Sequence, residues 1–396
     1  MLQLFFPTLA WFHLVIINKG GMIMHLGRSV DADGHILEPV DLWKKNLEAK
    51  FKDRALGLAR DTDGVETVIV DGKFSPLNKG FGIAAAFGQP GEVAFSNEFS
   101  YLDGPAGAYD PHARIKQLDE EGIDAVVLYP TIGLVWEGEV NDPELAAAYC
   151  RVYNDWITDF CRPYPDRLYP VAHISLMDVD RGIAELKRTA KLGIKGVMLT
   201  PHPANGRAYG DTYYDSFWAV AQDLDIPVGL HVIARPGFYG SEWYNHPTFK
   251  GSPFFFLSVT LGFDIQASFV SFFEGGTLER FPRLKLLVLE VGAGWVPHFI
   301  ERMDSKWEHS GFMTACKRPP SEYFRRQVWV GADVDESMIP AASERWGSDK
   351  FFWSSDFPHF DGFPGALKQL KKSIAKMPTA DQQNIIGDNA ARAYNL

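Results

Sequence analysis

A parallel α/β fold is what this 396-residue sequence predicts, and two observations carry the prediction. From Val30 onward, short runs rich in β-branched and aromatic residues alternate with amphipathic helical stretches, the order of a parallel sheet with helical crossovers. Four of those runs also end in residue types that bind metals. Val30 leads into Asp31-Ala32-Asp33-Gly34-His35, 227–230 ends on His231, 284–289 ends on Glu290, and 351–355 ends on Asp356 with His359 close behind. In a parallel barrel the C-terminal strand ends share one rim, so residues far apart in sequence meet there.

Taken in order, eight strands are expected, near 29–33, 124–129, 170–174, 195–200, 227–232, 285–290, 327–331 and 351–355. Residues 143–160 carry apolar side chains at helical spacing, with Asp142 as N-cap and Pro143 at the first helical position. A helix over 184–191 stops before Gly193, a natural C-cap, and a last short helix over 381–386 is expected to end at Gly387. Two connections are long. Residues 36–110 hold many Gly, Pro and Asp, and residues 233–270 are rich in Gly, Phe and Tyr. Both follow strands with ligand-type residues, so both project from the rim as substrate lids or as packing and oligomer contacts. The Gly292-Ala293-Gly294 run lacks the spacing of a phosphate loop and reads as a closely packed turn.

The N-terminal segment stands apart. Leu2 to Asn18 is almost entirely apolar, lacks a basic leader and a cleavage site, and falls slightly short of a membrane span. Residues 1–23 are therefore expected to be a disordered tail or a mis-assigned start, with 24–396 as one barrel domain. Apolar residues make up 46% and charged residues 22%, which fits a soluble globular protein with a large core. The net charge of −11 argues against nucleic acid or an anionic membrane as partner. Three cysteines, none in a CxxC pair, exclude a disulfide framework and a thiolate zinc site and fit the cytoplasm.

Asp33 and His35, two residues apart on a strand, face the same way. A lone His such as His231 at a strand end is often a satisfied core residue, but its place in the strand order supports a ligand. Asp356 follows the apolar Phe351-Phe352-Trp353, and a buried carboxylate is rare unless paired or metal-bound. Carboxylate and imidazole donors together suit Zn, Fe or Mn. His359 is a candidate for orienting a ligand or touching substrate, and His173 and His202 are candidates on the same rim for a second metal or for substrate.

These residues resemble the amidohydrolase-related family, in its branch similar to aminocarboxymuconate-semialdehyde decarboxylase. The resemblance rests on Asp31-Ala32-Asp33-Gly34-His35-Ile36-Leu37-Glu38-Pro39, Tyr153-Asn154-Asp155-Trp156, Gly193-Ile194-Lys195-Gly196, Phe281-Pro282-Arg283-Leu284-Lys285, Gly292-Ala293-Gly294-Trp295-Val296-Pro297, Asp356-Phe357-Pro358-His359 and Gly387-Asp388-Asn389-Ala390-Ala391-Arg392. It implies a (β/α)8 TIM barrel holding one or two divalent metal ions, with Asp33, His35, His231 and Asp356 at the ligand positions. Two departures stand out: Asp33 replaces the first His of the usual pair, and Glu290 replaces a His after strand 6. Two added carboxylates harden the ligand set, and Glu290 as a base or metal bridge favours hydrolysis of an amide, ester or thioester bond of an apolar or aromatic small molecule. Non-oxidative decarboxylation of an aromatic or dienoic acid is the second expectation, and a non-catalytic binding barrel the third. A homo-oligomer is expected.

Overall fold

Eight of the β-rich runs form one parallel sheet in strict sequence order: β1 (Val30–His35), β2 (Ala125–Tyr129), β3 (Leu168–His173), β4 (Gly196–Leu199), β5 (Val228–Leu230), β6 (Leu286–Val288), β7 (Val328–Ala332) and β8 (Phe351–Trp353). The computed structural model describes residues 14–17, 23–202, 205–248 and 252–396. Each strand pairs in parallel with the next. Helices cover the outside, giving a nearly closed TIM barrel. β1 and β8 share no ladder among the described residues. Their gap is bridged by His35 N donating to Phe357 O (2.7 Å) and by Ser355 donating from N (3.0 Å) and Oγ (2.5 Å) to the buried Asp31 carboxylate.

The barrel interior is filled from below. Tyr394, on the C-terminal helix Asn389–Tyr394, donates its hydroxyl to Ala32 O (3.1 Å) and meets the Tyr129 hydroxyl at 2.8 Å. A Cβ on Gly196 would come within 3.1 Å of the Tyr394 ring, so the glycine keeps that space open. Helix Pro143–Cys161 begins as expected, with Asp142 accepting from Glu144 N and Leu145 N. Gly387 does not end a helix. Helical turns run on through Asn384–Asp388, and the glycine is there because a Cβ would lie 1.9 Å from Arg28 O.

Both long connections carry structure of their own. The strand-1 insertion folds into a three-stranded antiparallel sheet, Gly57–Arg60, Glu66–Val70 and Lys73–Lys79. After β5, a helical stretch Pro253–Glu274 is long and apolar enough to cross a membrane by length and composition. Leu257 and Leu261 of this stretch instead line cavities at the barrel rim. The Gly292–Gly294 turn does cradle an anion, but an internal one: Ala293 N and Gly294 N donate to Glu336 (2.8 and 2.9 Å). In the N-terminal segment Leu14–Ile17 pairs antiparallel with Ile23–Leu26, and the rest of 1–23 lies outside the described residues.

Candidate metal centre

Asp33 and His35 are carried by the last residues of β1, Asp33 within a register shift between Asp31 and Gly34 and His35 just beyond it. His231 directly follows β5, and Glu290 and Asp356 lie within three residues of the ends of β6 and β8. Glu290 and Asp356 both sit at left-handed φ, +54° and +49°. Such backbone costs roughly 1–3 kcal/mol per residue and gathers at functional sites.

The imidazoles are pre-set as ligands. His35 Nδ1 donates to Pro130 O at 2.8 Å and His231 Nδ1 donates to Val232 O at 2.9 Å, which turns each Nε2 inward. His35 Nε2 lies 3.6 Å from Asp33 Oδ1 and 3.3 Å from Asp356 Oδ1. His231 Nε2 lies 3.5 Å from Asp33 Oδ1 and 3.1 Å from Glu290 Oε2. Asp33 Oδ1, both Nε2 atoms, Glu290 Oε2 and Asp356 Oδ2 are buried without a hydrogen-bond partner. One such atom costs about 1–3 kcal/mol. Donor atoms of Asp33, His35 and His231 lie within 4.8 Å of one another, and His35 and Asp356 link them to a second group with His359, so the mixed carboxylate and imidazole donors fit a divalent transition metal.

Protons mark the same excess of acid. Burial raises Glu290 well above the usual carboxylate range; His231 opposes this, and Asp361, Asp33 and Asp333 reinforce it. Asp356 is raised in the same way by burial, then by Asp361 and Glu290. Burial holds the His35 imidazole well below its ordinary value, helped by His359 and His231. For His231, burial pushes down, but Asp33 and Glu290 outweigh it and lift the ring to about 9. A bound dication would displace such protons.

His359 supports the cluster from one side. Thr131 Oγ1 donates to Ile36 O (2.7 Å), so it accepts from His359 Nε2 (2.9 Å), leaving His359 Nδ1 beside Asp356 Oδ1 at 3.0 Å. Thr131 is in turn fixed by the buried Glu38 carboxylate, which accepts from the backbone N–H groups of Thr131, Ile132 and Gly133. Asp361 joins Glu290, Asp356 and His359, their donor atoms lying within 4.8 Å of one another. Thr131, Glu38 and Asp361 carry no separate signal in the sequence, except that Asp361 shares the Asp356–His359 loop.

His173 and His202 are not brought into the cluster. His173 Nε2 pairs with the buried Glu137 at 3.1 Å. His202 Nε2 lies 3.3 Å from Asp264, which Arg235 also holds. Neither is positioned to bind a second metal beside Asp33 and His35.

Two cavities open at the cluster. One, of about 330 Å³, is lined by Glu290, Asp333, Asp335, Asp356 and Asp361. The other, of about 170 Å³, is lined mainly by apolar side chains, including Phe81, Leu134 and Phe256.

Against known proteins, the profile of a family described as amidohydrolase matches residues 30–396. A γ-resorcylate decarboxylase from Rhizobium sp. is 27% identical over 296 residues, covering 72% of this chain and 86% of that one. Among solved structures, an amidohydrolase from Mycobacterium avium subsp. paratuberculosis gives a TM-score of 0.79 at 22% identity, covering 93% of this chain and 99% of that one. A dihydroxybenzoic acid decarboxylase from Polaromonas sp., with bound manganese and the inhibitor 2-nitroresorcinol, gives 0.67 at 18% identity, covering 94% and 98%. The relatives overturn the expectation of amide, ester or thioester hydrolysis, since curated relatives matched by sequence are decarboxylases. The physical reason lies in Glu290. Hydrolysis would use it as an ionised base, whereas burial, reinforced by Asp361, Asp33 and Asp333, raises its carboxyl well above the usual range and so favours a proton donor there.

Proposed function

Because the chain belongs to the amidohydrolase family, we propose that it is a metal-dependent carboxy-lyase that removes CO₂ from a small aromatic acid without oxidation. The observation that carries this reading is the Asp33, His35 and His231 donor group, with Asp356 3.3 Å from His35, at the strand ends of a chain similar, over 72% of its length, to a γ-resorcylate decarboxylase.

Asp33, His35, His231 and Asp356 would hold one divalent ion, and the carboxylate-rich set suits manganese. When bound, the metal supplies a Lewis acid that fixes the substrate carboxylate and offsets its charge. Glu290, on the edge of the cluster, delivers its proton to the ring carbon that bears the carboxylate. The carbon–carbon bond then breaks, its electron pair restores the aromatic ring, and CO₂ departs. Glu290 is left ionised and regains a proton from solvent. His359, anchored by Thr131, keeps Asp356 turned toward the cluster. The net charge of −11 supports a soluble setting away from anionic surfaces.

The test is CO₂ release from hydroxybenzoic acids by manganese-loaded protein. Glu290→Gln is expected to lower kcat by roughly 10²–10⁴-fold, as loss of a general acid does, with metal content retained. Absence of CO₂ from every aromatic acid tried would refute the reading.

A further inference from the structure

The two cavities beside the cluster differ in lining, the larger being the more acidic and the smaller the more apolar. The larger presents five carboxyl groups, those of Glu290, Asp333, Asp335, Asp356 and Asp361. The smaller is walled by side chains from four separate segments: Phe81 and Ile83 of the strand-1 insertion, Leu134 after β2, Ile233 after β5, and Phe256 of the rim helix. Leu257, Leu261, Glu290 and Asp361 line both, so a molecule seated at the cluster reaches into the two together. Among the described residues, neither lining includes Lys or Arg.

We propose that the substrate is an aromatic monocarboxylic acid with an apolar substituent of a few carbons in the smaller chamber and a neutral hydrogen-bond donor, such as a hydroxyl, toward the larger. This rests on the carboxy-lyase reading and narrows it. One carboxylate is accommodated, because the metal would sit opposite it. A second carboxylate would face the acidic lining with no guanidinium or ammonium to receive it, and desolvating it there is strongly unfavourable. A hydroxyl donates to that lining instead. On the other side the wall is mostly apolar, with Thr131, His359, Glu290 and Asp361 as its polar members, so an alkyl group gains from burial while a polar substituent meets few partners. A buried methylene is worth about 0.8 kcal/mol, which is roughly fourfold in kcat/KM. The cavity of about 170 Å³ has room for several.

The experiment compares CO₂ release from a hydroxybenzoate parent, its methyl and propyl derivatives, and a derivative with a second carboxylate, with the affinity of each acid for the manganese-loaded protein measured by calorimetry. The expected result is a rise in kcat/KM of at least tenfold from methyl to propyl, and a fall of at least a hundredfold for the dicarboxylate. Leu134→Asn should narrow the propyl-to-methyl ratio to below threefold, and Asp333→Asn with Asp335→Asn should raise the relative rate on the dicarboxylate. A dicarboxylate used as well as the parent, or no gain from propyl, overturns the proposal while leaving the carboxy-lyase reading intact. If no acid releases CO₂, that reading fails, and the calorimetric affinities alone decide the preference of the chambers by the same ratios.

Discussion

Replacing Asp31 by Asn removes one charge from a place solvent does not reach. Asp31 is fully buried in β1 and accepts both hydrogen bonds from Ser355. Arg114, also fully buried, stacks 4.3 Å over the Phe357 ring and donates to His35 O at 2.9 Å, while its Nε and Nη2 have no partner. A Cβ placed on Gly34 would lie 2.7 Å from Arg114 Nη2 and 3.0 Å from Asp31 Oδ2, so the two charges are less than about 6 Å apart. At an effective dielectric of about 20 their attraction is roughly 3 kcal/mol. Weakening the charge-assisted bond from Ser355 adds about 1 kcal/mol. The sum falls within the range for breaking a buried ion pair, about 3–5 kcal/mol. A chain of this length unfolds with an entropy of about 0.8 kcal/mol/K, so Tm should drop by about 5 °C. Calorimetry and urea unfolding at pH 8 measure this, and elemental analysis after dialysis follows manganese retention, which should fall because the same clasp holds Asp33, His35 and Asp356 together. Asp31→Asn combined with Arg114→Met should recover part of the loss, since no unpaired charge remains buried. A Tm within 1 °C of wild type with metal retained, or a double variant no better than the single, would refute the reasoning.

Other perturbations probe the remaining parts. His231→Ala should lower manganese affinity more than tenfold in equilibrium dialysis with the barrel still folded; full metal content would remove His231 from the ligand set. Gly34→Ala should destabilise the protein by about 1–3 kcal/mol and loosen the metal, because the new Cβ would lie 2.6 Å from Val126 Cγ2; an unchanged urea midpoint contradicts this. Burial raises the Glu38 carboxyl to about 7 against the pull of the N–H groups of Ile132, Gly133 and Thr131. The folded chain therefore keeps a proton that the unfolded chain has released, and stability that is full below about pH 4.5 is lost as pH rises to about 7, by about 3 kcal/mol. Glu38→Gln should flatten that decline, and an identical slope in both proteins would show that Glu38 does not cause it.

The barrel was legible because its strands are β-branched runs in sequence order, each followed by helical periodicity. Asp33, His35, His231, Glu290 and Asp356 were legible because strand ends share a rim. In the strand-1 insertion the Gly, Pro and Asp content masks the small sheet, although Asp71-Gly72, between Val70 and Lys73, is a strong hairpin signal; both residues have positive φ, at 51° and 73°. The rim helix was missed because Phe254 to Thr260 holds aromatic and β-branched residues, poor helix formers that tertiary contact overrides. His173 and His202 were drawn in by rim position alone; their carboxylate partners, Glu137 and Asp264, come from distant segments that no local pattern links to them. The expectation of hydrolysis failed for a subtler reason: residue type does not reveal whether a buried carboxyl is ionised.

The clasp between Asp31 and Ser355 joins residues 324 apart in the chain. Ribosomes add about 5–20 residues each second, so roughly half a minute separates the emergence of Asp33 and His35 from that of Asp356. During that interval the early ligands have no fourth donor, and the β1 edge has no β8 to close against. A high-affinity centre therefore comes into being only when the last strand docks. With the proposed ligand set, metal capture would follow closure, and the fraction of chains holding metal after synthesis would track those whose last strand has docked.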